Sequence, residues 1–514
     1  MSSRLVIKDA AWQLIWRIIS ALFGFLTIKI MTPYLWPLQY GDYSTILKYF
    51  AIWTALADLW LYVLAVKRLG EIKEKWNDPD NTKLKSEYGK FVWTRIIIMS
   101  VVYVVAIVVA YLLPAYTSNP YLVRWLPFGM IFSASFMFAW IQQLPLQIFW
   151  KMEQLSFTLI TARLSQIIIL VPVVYIFFRH MKFDGTSLSI LAFCLILFSV
   201  VASSIWQNRE IHRRSKRILP LKIKFDWWFT KDIVRRNWQY GISYYLSSFH
   251  TLIVLLFLWW FFPTSWWHDY TGMRALSLSL IEILLIIPSS LGNSLLHKIS
   301  SYSILNKRRS IWNLLLMMFW IGWIIAINFW LFSNWIILVV SWKAFLWSFS
   351  SVRSWWSNQI LPFLWIVLFR SFIKQVYNYL FVAVEKQNVL LPINLFWVIL
   401  WVGLWIRAIP KYGLVWGVIT QVVIEFLFMI WAIWVWNRKK VNPIFSWKRV
   451  WILSWGMVLF AIIWFSVTKI WKINMIEFFW FAIILNLVLV YLCLPIVKKI
   501  ARGLTVEDTI NPGV

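Results

Sequence analysis

Glycine is scarce in this sequence. The 514 residues include 16 Gly, whereas ordinary usage predicts roughly 36. Tryptophan shows the opposite bias, with 41 residues. Since glycine is the residue that tight turns and close helix contacts use most, its scarcity is unexpected for any folded chain of this length.

Cysteine is also rare, and this excludes a disulfide framework. Cys194 and Cys493 both lie in apolar runs, where inert buried thiols are expected. The five His residues are scattered without the spacing of metal ligands. We therefore predict neither a metal nor a cofactor.

Acidic residues are few, and they form no catalytic motif. The D-P-D triplet at 78–80 imitates a glycosyltransferase metal motif, but it lies in a short charged loop without a nucleotide-binding domain around it. The sequence also contains no long loop on the extracytoplasmic side of the predicted spans that could hold an active site. The sequence therefore favours a protein that is not an enzyme over a membrane glycosyltransferase or polymerase.

Long apolar runs dominate what is present. Hydrophobic residues make up 61% of the chain, charged residues 14%, and the mean hydropathy is +0.71. Runs of about twenty apolar residues recur from end to end, which is typical of an integral membrane protein. The first run, 10–34, is too long for a signal peptide and is interpreted as the first span.

A window of about 20 residues predicts about fourteen transmembrane helices in an all-α protein. Residues 333–358 are left without a span, and a short amphipathic helix at 343–354 is one interpretation of that stretch. The predicted spans are 10–33, 42–66, 91–113, 121–147, 155–178, 186–207, 237–261, 270–296, 310–332, 360–384, 389–408, 413–436, 450–468 and 474–497.

The loop cations predict the orientation. Alternate connections carry 33 Lys and Arg on one side and 8 on the other, and cationic loops stay in the cytoplasm. Both termini are therefore predicted to be cytoplasmic. The formal charge of +30 is spread over these loops, so anionic lipid headgroups are expected as partners and nucleic acid is not.

The longest basic stretch suggests a division of the chain. It begins at Arg209, between the sixth and seventh spans, and is interpreted as a linker between two halves. The predicted units are an N-terminal six-helix bundle, a basic cytoplasmic linker, a C-terminal six-helix bundle, and an extra helix pair with a tail, at 1–208, 209–236, 237–436 and 437–514.

Several charges remain inside the spans, where a mid-bilayer cation costs ~2.5–3.5 kcal/mol. Arg95 lies near a span end and is expected to snorkel to the surface. Asp58 and Glu282 are candidates either for carrying a coupling ion or for structural ion pairs with the cations. The cations that predict a cavity for an anionic substrate are Arg17, Lys48, Arg274, Arg370 and Lys374.

Four short motifs resemble those of one transporter family. Residues 35–43 read L-W-P-L-Q-Y-G-D-Y, 58–61 read D-L-W-L, 341–345 read S-W-K-A-F and 412–417 read Y-G-L-V-W-G. With glycine in place of Trp, they match L-G-P-x-x-Y-G-x-Y, D-L-G-L, S-G-K-x-F and Y-G-x-x-G. On these residues the chain resembles the polysaccharide flippases of the multidrug/oligosaccharidyl-lipid/polysaccharide exporter superfamily.

The resemblance implies a fold and a function. The fold is two six-helix bundles plus a C-terminal helix pair, and the activity is flipping an undecaprenyl-diphosphate-linked oligosaccharide across the bacterial cytoplasmic membrane. The related lipid II flippases place cavity cations on spans one, two and eight, which here hold Arg17, Lys48 and Arg274. Implied partners are membrane lipids, the anionic lipid-linked oligosaccharide and other polysaccharide-assembly proteins. A drug or metabolite antiporter of the same superfamily is the alternative.

The departures from these motifs share one form, with Trp standing where glycine is expected. Trp397, Trp401 and Trp405 follow the same rule, because their i, i+4, i+8 spacing would form a small-residue packing face if they were glycines. We hypothesise that many Trp are UGA codons of an organism that reads UGA as glycine. The alternative is a truly Trp-rich protein with interfacial indoles, which suits Trp227 and Trp228. The motif positions concerned include Trp36, Trp60, Trp342 and Trp416.

Overall fold

The structure is a computed structural model in which part of the chain is described. The described residues are 3–35, 37–58, 61–75, 81–112, 120–149, 151–174, 185–236, 238–239, 241–242, 245–246, 272–285, 318–319, 321–326, 328, 330, 332–341, 360–361, 363–364, 367–373, 390–412, 418–424, 427 and 431.

Regular structure in these residues is helical, with no strand among them, as the sequence predicts. Three stretches are both long and apolar enough to cross a membrane: Thr82–Leu112, Arg124–Ile148 and Glu153–Pro172. The helices are α1 Ser3–Met31, α2 Pro37–Asp58, α3 Leu61–Lys75, α4 Thr82–Leu112, α5 Pro120–Gln142, α6 Leu144–Ile148, α7 Met152–Pro172, α8 Gly185–Lys216, α9 227–236, α10 272–285, α11 Ser333–Val340 and α12 Leu390–Tyr412.

The described part of the span predicted at 42–66 consists of α2 and α3, on either side of residues 59 and 60, which lie outside the described residues. The helix bounds differ from the predicted spans in two places. Helix α11 lies within 333–358, where no span is predicted. Helix α8 continues to Lys216, so the first part of the predicted linker extends this helix. The predicted spans at 450–468 and 474–497 and the amphipathic helix at 343–354 lie outside the described residues, and the total of fourteen stays a prediction.

Helix α4 shows how the membrane shapes each element. One face carries large apolar side chains that are exposed, including Val104 and Leu112, at 62% and 73%. The opposite face buries Tyr103, Ala106 and Ala110 in the main core. Exposed apolar surface on this scale is stable in lipid and not in water, so the exposed face is the lipid-facing side.

The N-terminal helices pack around α2. Helix α2 contacts α4 and α5, while α8 packs on α5 and α7, and α1 on α7. A Cβ atom at Gly129 of α5 would lie 2.7 Å from the carbonyl oxygen of Ile46 on α2. This position therefore requires glycine, because a side chain there would force the two helices apart.

A polar network attaches α9 to the N-terminal part of α4. Glu87 binds Arg68 of α3 at 3.0 Å and Lys90 at 3.3 Å, and Lys90 also binds Asp226 at 3.0 Å. The Phe229 amide donates to Asp226 Oδ1 at 2.9 Å, so Asp226 caps α9. The Arg68 guanidinium carbon lies 4.9 Å from the centre of the Phe229 ring, in a cation–π contact. Charge and packing together hold α9 against α3 and α4.

The three tryptophans of α12 form a buried ridge. Trp397, Trp401 and Trp405 are each less than a tenth exposed, and the Trp401 and Trp405 rings lie 4.6 Å apart. The indole nitrogens of Trp401 and Trp405 have no hydrogen-bond partner in the part of the chain that the structure describes. A buried donor left unsatisfied costs ~1–3 kcal/mol. Glycine at these positions would remove both donors.

Two other tryptophans behave differently. Trp227 and Trp228 at the start of α9 are exposed, as interfacial indoles would be. Of the motif positions, Trp36, Trp60, Trp342 and Trp416 lie outside the described residues. The structure thus shows two classes of tryptophan. The recoding hypothesis concerns the buried class, and the exposed class is explained without it.

The recoding hypothesis predicts a direct chemical difference. Mass spectrometry of peptides from the protein made in its natural host is expected to find glycine at positions 36, 60, 401 and 405. The buried indole donors on α12 are the physical reason to expect it there. UGG codons at these positions would contradict the hypothesis, and Trp227 and Trp228 serve as internal comparison sites.

The cap of α9 predicts a pH-dependent local stability. The hydrogen bond from the Phe229 amide, followed by that from Lys90, lowers the pKa of Asp226 below its usual range. The cap therefore stabilises α9 fully above the unfolded carboxyl pKa of about 3.9 and is lost as the pH falls through the lower folded value. Hydrogen exchange of the α9 amides should accelerate in that acid range, and Asp226→Asn should remove the pH dependence.

Candidate functional site

An ion pair joins α2 to α10. The Lys48 ammonium donates to Glu282 Oε1 in a short contact between side chains that are 12% and 42% exposed. The two residues are separated by 234 positions in the chain, so the pair links distant parts of the sequence. Both were predicted as site residues, and the structure brings them together.

The same two helices also meet closely near Pro37, the first residue of α2. A Cβ atom at Gly272, the first described residue of α10, would lie 1.7 Å from the carbonyl oxygen of Pro37. The Tyr40 hydroxyl, one turn further along α2, is hydrogen bonded to Ser279 of α10 and lies within electrostatic range of Glu282. Backbone contact, a polar contact and an ion pair thus follow one another along the α2 and α10 contact.

A third helix is fixed to this end by a lysine. Lys29, in the last turn of α1, donates from Nζ to the carbonyl oxygens of Leu338 and Ser341, each at 3.1 Å. Leu338 lies in α11, and Ser341 caps its end. Helices α1, α2, α10 and α11 are therefore held together at the end where α1 finishes and α2 starts.

The arginines predicted to line a cavity are buried in this structure. Arg274 is completely buried, donates to Gln421 Oε1, and lies 5.4 Å from the centre of the Trp405 ring. Arg370 is 4% exposed in the helical segment 367–373. Neither arginine meets water here. Lys48 is the predicted cation whose side chain lies beside a partly exposed carboxylate.

Two predicted cations cannot be placed in this arrangement. Arg17 belongs to α1, one turn before Ser20, but its side chain lies outside the described residues. Lys374 also lies outside them. Their roles stay predictions.

Asp58 forms a different ion pair at the far end of α2. Arg95 Nη2 lies 2.5 Å from Asp58 Oδ1, and the two side chains are 3% and 7% exposed. Arg95 also contacts Met137 Sδ at 3.1 Å. The expectation that Arg95 snorkels to the membrane surface is therefore wrong. A signal was available, because Asp58 and Arg95 lie near the ends of two consecutive spans that share one side of the membrane.

The sequence did not point to the tyrosines of α2. Tyr40 and Tyr43 have ring centres 5.9 Å apart, and Tyr43 lies within electrostatic range of Arg163 on α7. Phenols in apolar spans carry little sequence signal, since they are common in cores and at interfaces. Both tyrosines lie on α2, on the N-terminal side of Lys48.

The chemistry available at Lys48 is anion binding. An ammonium with a partly exposed carboxylate partner can exchange that partner for another anion, whereas a fully buried guanidinium cannot do so without a rearrangement. Groups of three or more residues able to hold a metal ion are not found among the described residues. The arrangement at Lys48 is a partly exposed ion pair between two helices.

Sequence comparison gives one family match. The profile of the family described as "Polysaccharide biosynthesis protein" matches residues 6–291, more than half of the chain. No curated protein sequence matches the chain.

Three solved structures illustrate the fold that this chain shares with other proteins. The lipid II flippase MurJ in an inward closed conformation has a TM-score of 0.63 at 14% identity, covering 97% of this chain and 99% of that one. An inward-facing multidrug resistance transporter of the MATE family has a TM-score of 0.54 at 13% identity, and the match covers 84% of this chain and 98% of that one. A MOP superfamily transporter from Pyrococcus furiosus has a TM-score of 0.52 at 12% identity, and the match covers 85% of this chain and 95% of that one. At these identities the likeness shows the fold alone.

The Asp58–Arg95 pair predicts a strong dependence of stability on its partners. Arg95→Met should destabilise the protein by about 3–5 kcal/mol, because it leaves a buried carboxylate without its cation, whereas Asp58→Leu combined with Arg95→Met should lie closer to wild type. Thermal unfolding in detergent measures both. The matched control is Arg68→Gln, which removes a more exposed pair and should cost less than about 1 kcal/mol. A double variant as unstable as Arg95→Met would contradict this assignment.

Proposed function

The chain belongs to the polysaccharide biosynthesis protein family, and from this membership we propose that it is a flippase. Its substrate is an undecaprenyl-diphosphate-linked oligosaccharide, which it moves from the inner to the outer leaflet of the bacterial cytoplasmic membrane. The observation that carries the proposal is the ion pair between Lys48 and Glu282, whose carboxylate is partly exposed. A diphosphate headgroup needs a cation that can release a weaker partner, and the lipid tail can stay in the bilayer.

The architecture proposed for this function is two six-helix bundles and a C-terminal helix pair, with both termini in the cytoplasm. The bundles are 1–208 and 237–436, joined by 209–236 and followed by 437–514. In this arrangement Lys48 lies in the first bundle and Glu282 in the second. The fold shared with MurJ and the MATE transporter supports it, as does the alternation of loop cations.

With that orientation, the contacts at the start of α2 close the outer side of the protein. They are the backbone contact of Pro37 with Gly272 and the Lys29 bonds to the end of α11. The outer side then opens only if α2 moves away from α10. Rocking of one bundle against the other is the motion that separates them.

Substrate binding is coupled to this motion through Lys48. Glu282 neutralises Lys48 and ties α2 to α10. A diphosphate that takes Lys48 displaces Glu282, which removes one link across the closed side and stabilises the open state. A ligand shifts a conformational equilibrium only by its differential affinity, and the exchange of partners supplies that difference.

The other predicted cations act later in the cycle. Arg274 and Arg370 are buried here, and the same separation of helices that opens the outer side would uncover them. Arg17 and Lys374 are proposed to complete the cationic surface. Asp58 is proposed to be structural, since Arg95 holds it inside the first bundle.

Depletion of the protein in its host tests the proposed activity. Lipid-linked oligosaccharide is expected to accumulate on the cytoplasmic leaflet, because its flipping is blocked while its synthesis continues. If drug efflux falls and no lipid intermediate accumulates, the protein is an antiporter of the same superfamily. If the glycan stays unpolymerised after the lipid has been flipped, the protein is a polymerase.

The ion pair predicts an asymmetric response to mutation. Lys48→Gln should weaken binding of a lipid diphosphate roughly tenfold to a hundredfold, because it removes a charge-assisted contact of about 1.5–3 kcal/mol. Glu282→Gln should bind the same probe at least as tightly as wild type, because the competing carboxylate is gone. Both are measured in proteoliposomes with a fluorescent lipid diphosphate.

The control for this comparison is Lys231→Gln, which removes an exposed cation from α9 and should leave binding unchanged. If Lys48→Gln and Glu282→Gln lose binding equally, the pair only holds α2 to α10, and the proposed role of Lys48 is wrong. Transport by both variants distinguishes loss of binding from loss of fold.

A further inference from the structure

A second cationic site lies where α8 ends, far along the sequence from Lys48. Two adjoining cavities of about 320 Å³ and 580 Å³ share Arg213 and Arg217 in their walls. Lys151 belongs to the first cavity and Lys216 to the second. We call this concave surface the basic groove; its cations are Lys151, Arg209, Arg213, Arg214, Lys216 and Arg217.

The charge of the groove is poorly balanced. Neither set of lining residues contains an acid. Glu210, beside the groove, binds Arg213 at 3.0 Å and approaches Arg214 Nε at 3.7 Å. A single carboxylate cannot neutralise six cations, so the groove keeps a positive potential.

The walls of the groove are held in place. Arg214 lies over the Phe157 ring at 4.7 Å, and its Nε is buried without a hydrogen-bond partner among the described residues. The amides of Ile218 and Leu219 both donate to the Ser215 carbonyl at 2.9 Å, which fixes the turn that carries Arg217. Cations on a fixed backbone lose less freedom when they bind than cations on a mobile loop.

The groove opens at the level of the lipid headgroups. Lys151 immediately precedes α7, whose apolar segment Glu153–Pro172 is long enough to cross a membrane. Exposed Ile205 and Trp206 on α8 lie one turn before Arg209, as expected for a helix leaving the hydrocarbon. Ligands that carry phosphate on an apolar anchor meet the groove in this layer.

We propose that the basic groove binds the phosphodiester headgroup of an anionic phospholipid from the leaflet on its own side of the membrane. The guanidinium groups of Arg213 and Arg217 provide the paired donors that phosphate oxygens accept, and Lys151 adds charge from the membrane side. The lipid acyl chains stay in the bilayer beside α7. The site is separate from the Lys48 pair and does not depend on the proposed transport.

The test measures lipid binding to the full-length protein in detergent. Native mass spectrometry counts bound phosphatidylglycerol, with phosphatidylcholine as the zwitterionic comparison. The variant Lys151→Gln, Arg213→Gln, Arg217→Gln should lose roughly a hundredfold in affinity, since each cation near anionic lipid contributes about fivefold. The matched control removes the same charge from exposed cations outside the groove: Lys222→Gln, Lys231→Gln, Arg235→Gln. It should bind as wild type does.

Two outcomes would overturn the proposal. Equal losses in the two triple variants mean that the cations attract lipid only as a diffuse surface charge. Displacement of phosphatidylglycerol by stoichiometric inorganic pyrophosphate means that the groove is a site for a soluble phosphate. Should the triple variant not fold, Arg217→Gln alone is expected to lose about fivefold, and an unchanged affinity there contradicts the proposal.

Discussion

The cost of an unneutralised charge in a bilayer governs the described part of this protein. A mid-membrane cation costs ~2.5–3.5 kcal/mol, and the described structure meets that cost in a different way at each position. Arg95 pairs with a buried carboxylate, Lys48 with a half-exposed one, and Lys29 with two carbonyl oxygens. These pairings decide which helices neighbour each other, because each joins two elements at a fixed depth.

Helix α2 carries both kinds of ion pair, and their difference separates stability from movement. The Asp58–Arg95 pair is enclosed within neighbouring N-terminal helices, so breaking it leaves an uncompensated charge. The Lys48–Glu282 pair reaches a helix more than two hundred residues away, and its carboxylate is partly solvated. The end of α2 at Asp58 is therefore anchored, while the proposed exchange of partners takes place near the middle of the helix, at Lys48.

The sequence predicted the fold class well because a bilayer sets the length and composition of each span. It also selected Lys48 and Glu282 singly, since charge inside an apolar run stands out. Their pairing could not be predicted, because it depends on how α2 packs against α10. The extension of α8 to Lys216 was missed because a hydropathy window ends where the helix enters water, although Arg, Glu and Lys are good helix formers. The buried state of Arg274 depends on Trp405, whose identity is itself in question.

The contact between Gly272 and Pro37 has a consequence for leakage. The proposed flippase must pass a bulky headgroup yet admit no protons or ions between cycles, or the membrane potential would collapse. Because Gly272 has no Cβ, the seal at this point is backbone against backbone. Such a seal contains no ionisable group, so changes of acidity and ionic strength leave this backbone contact intact. In the proposed closed state, the tightness of this one point between α2 and α10 therefore does not depend on charge.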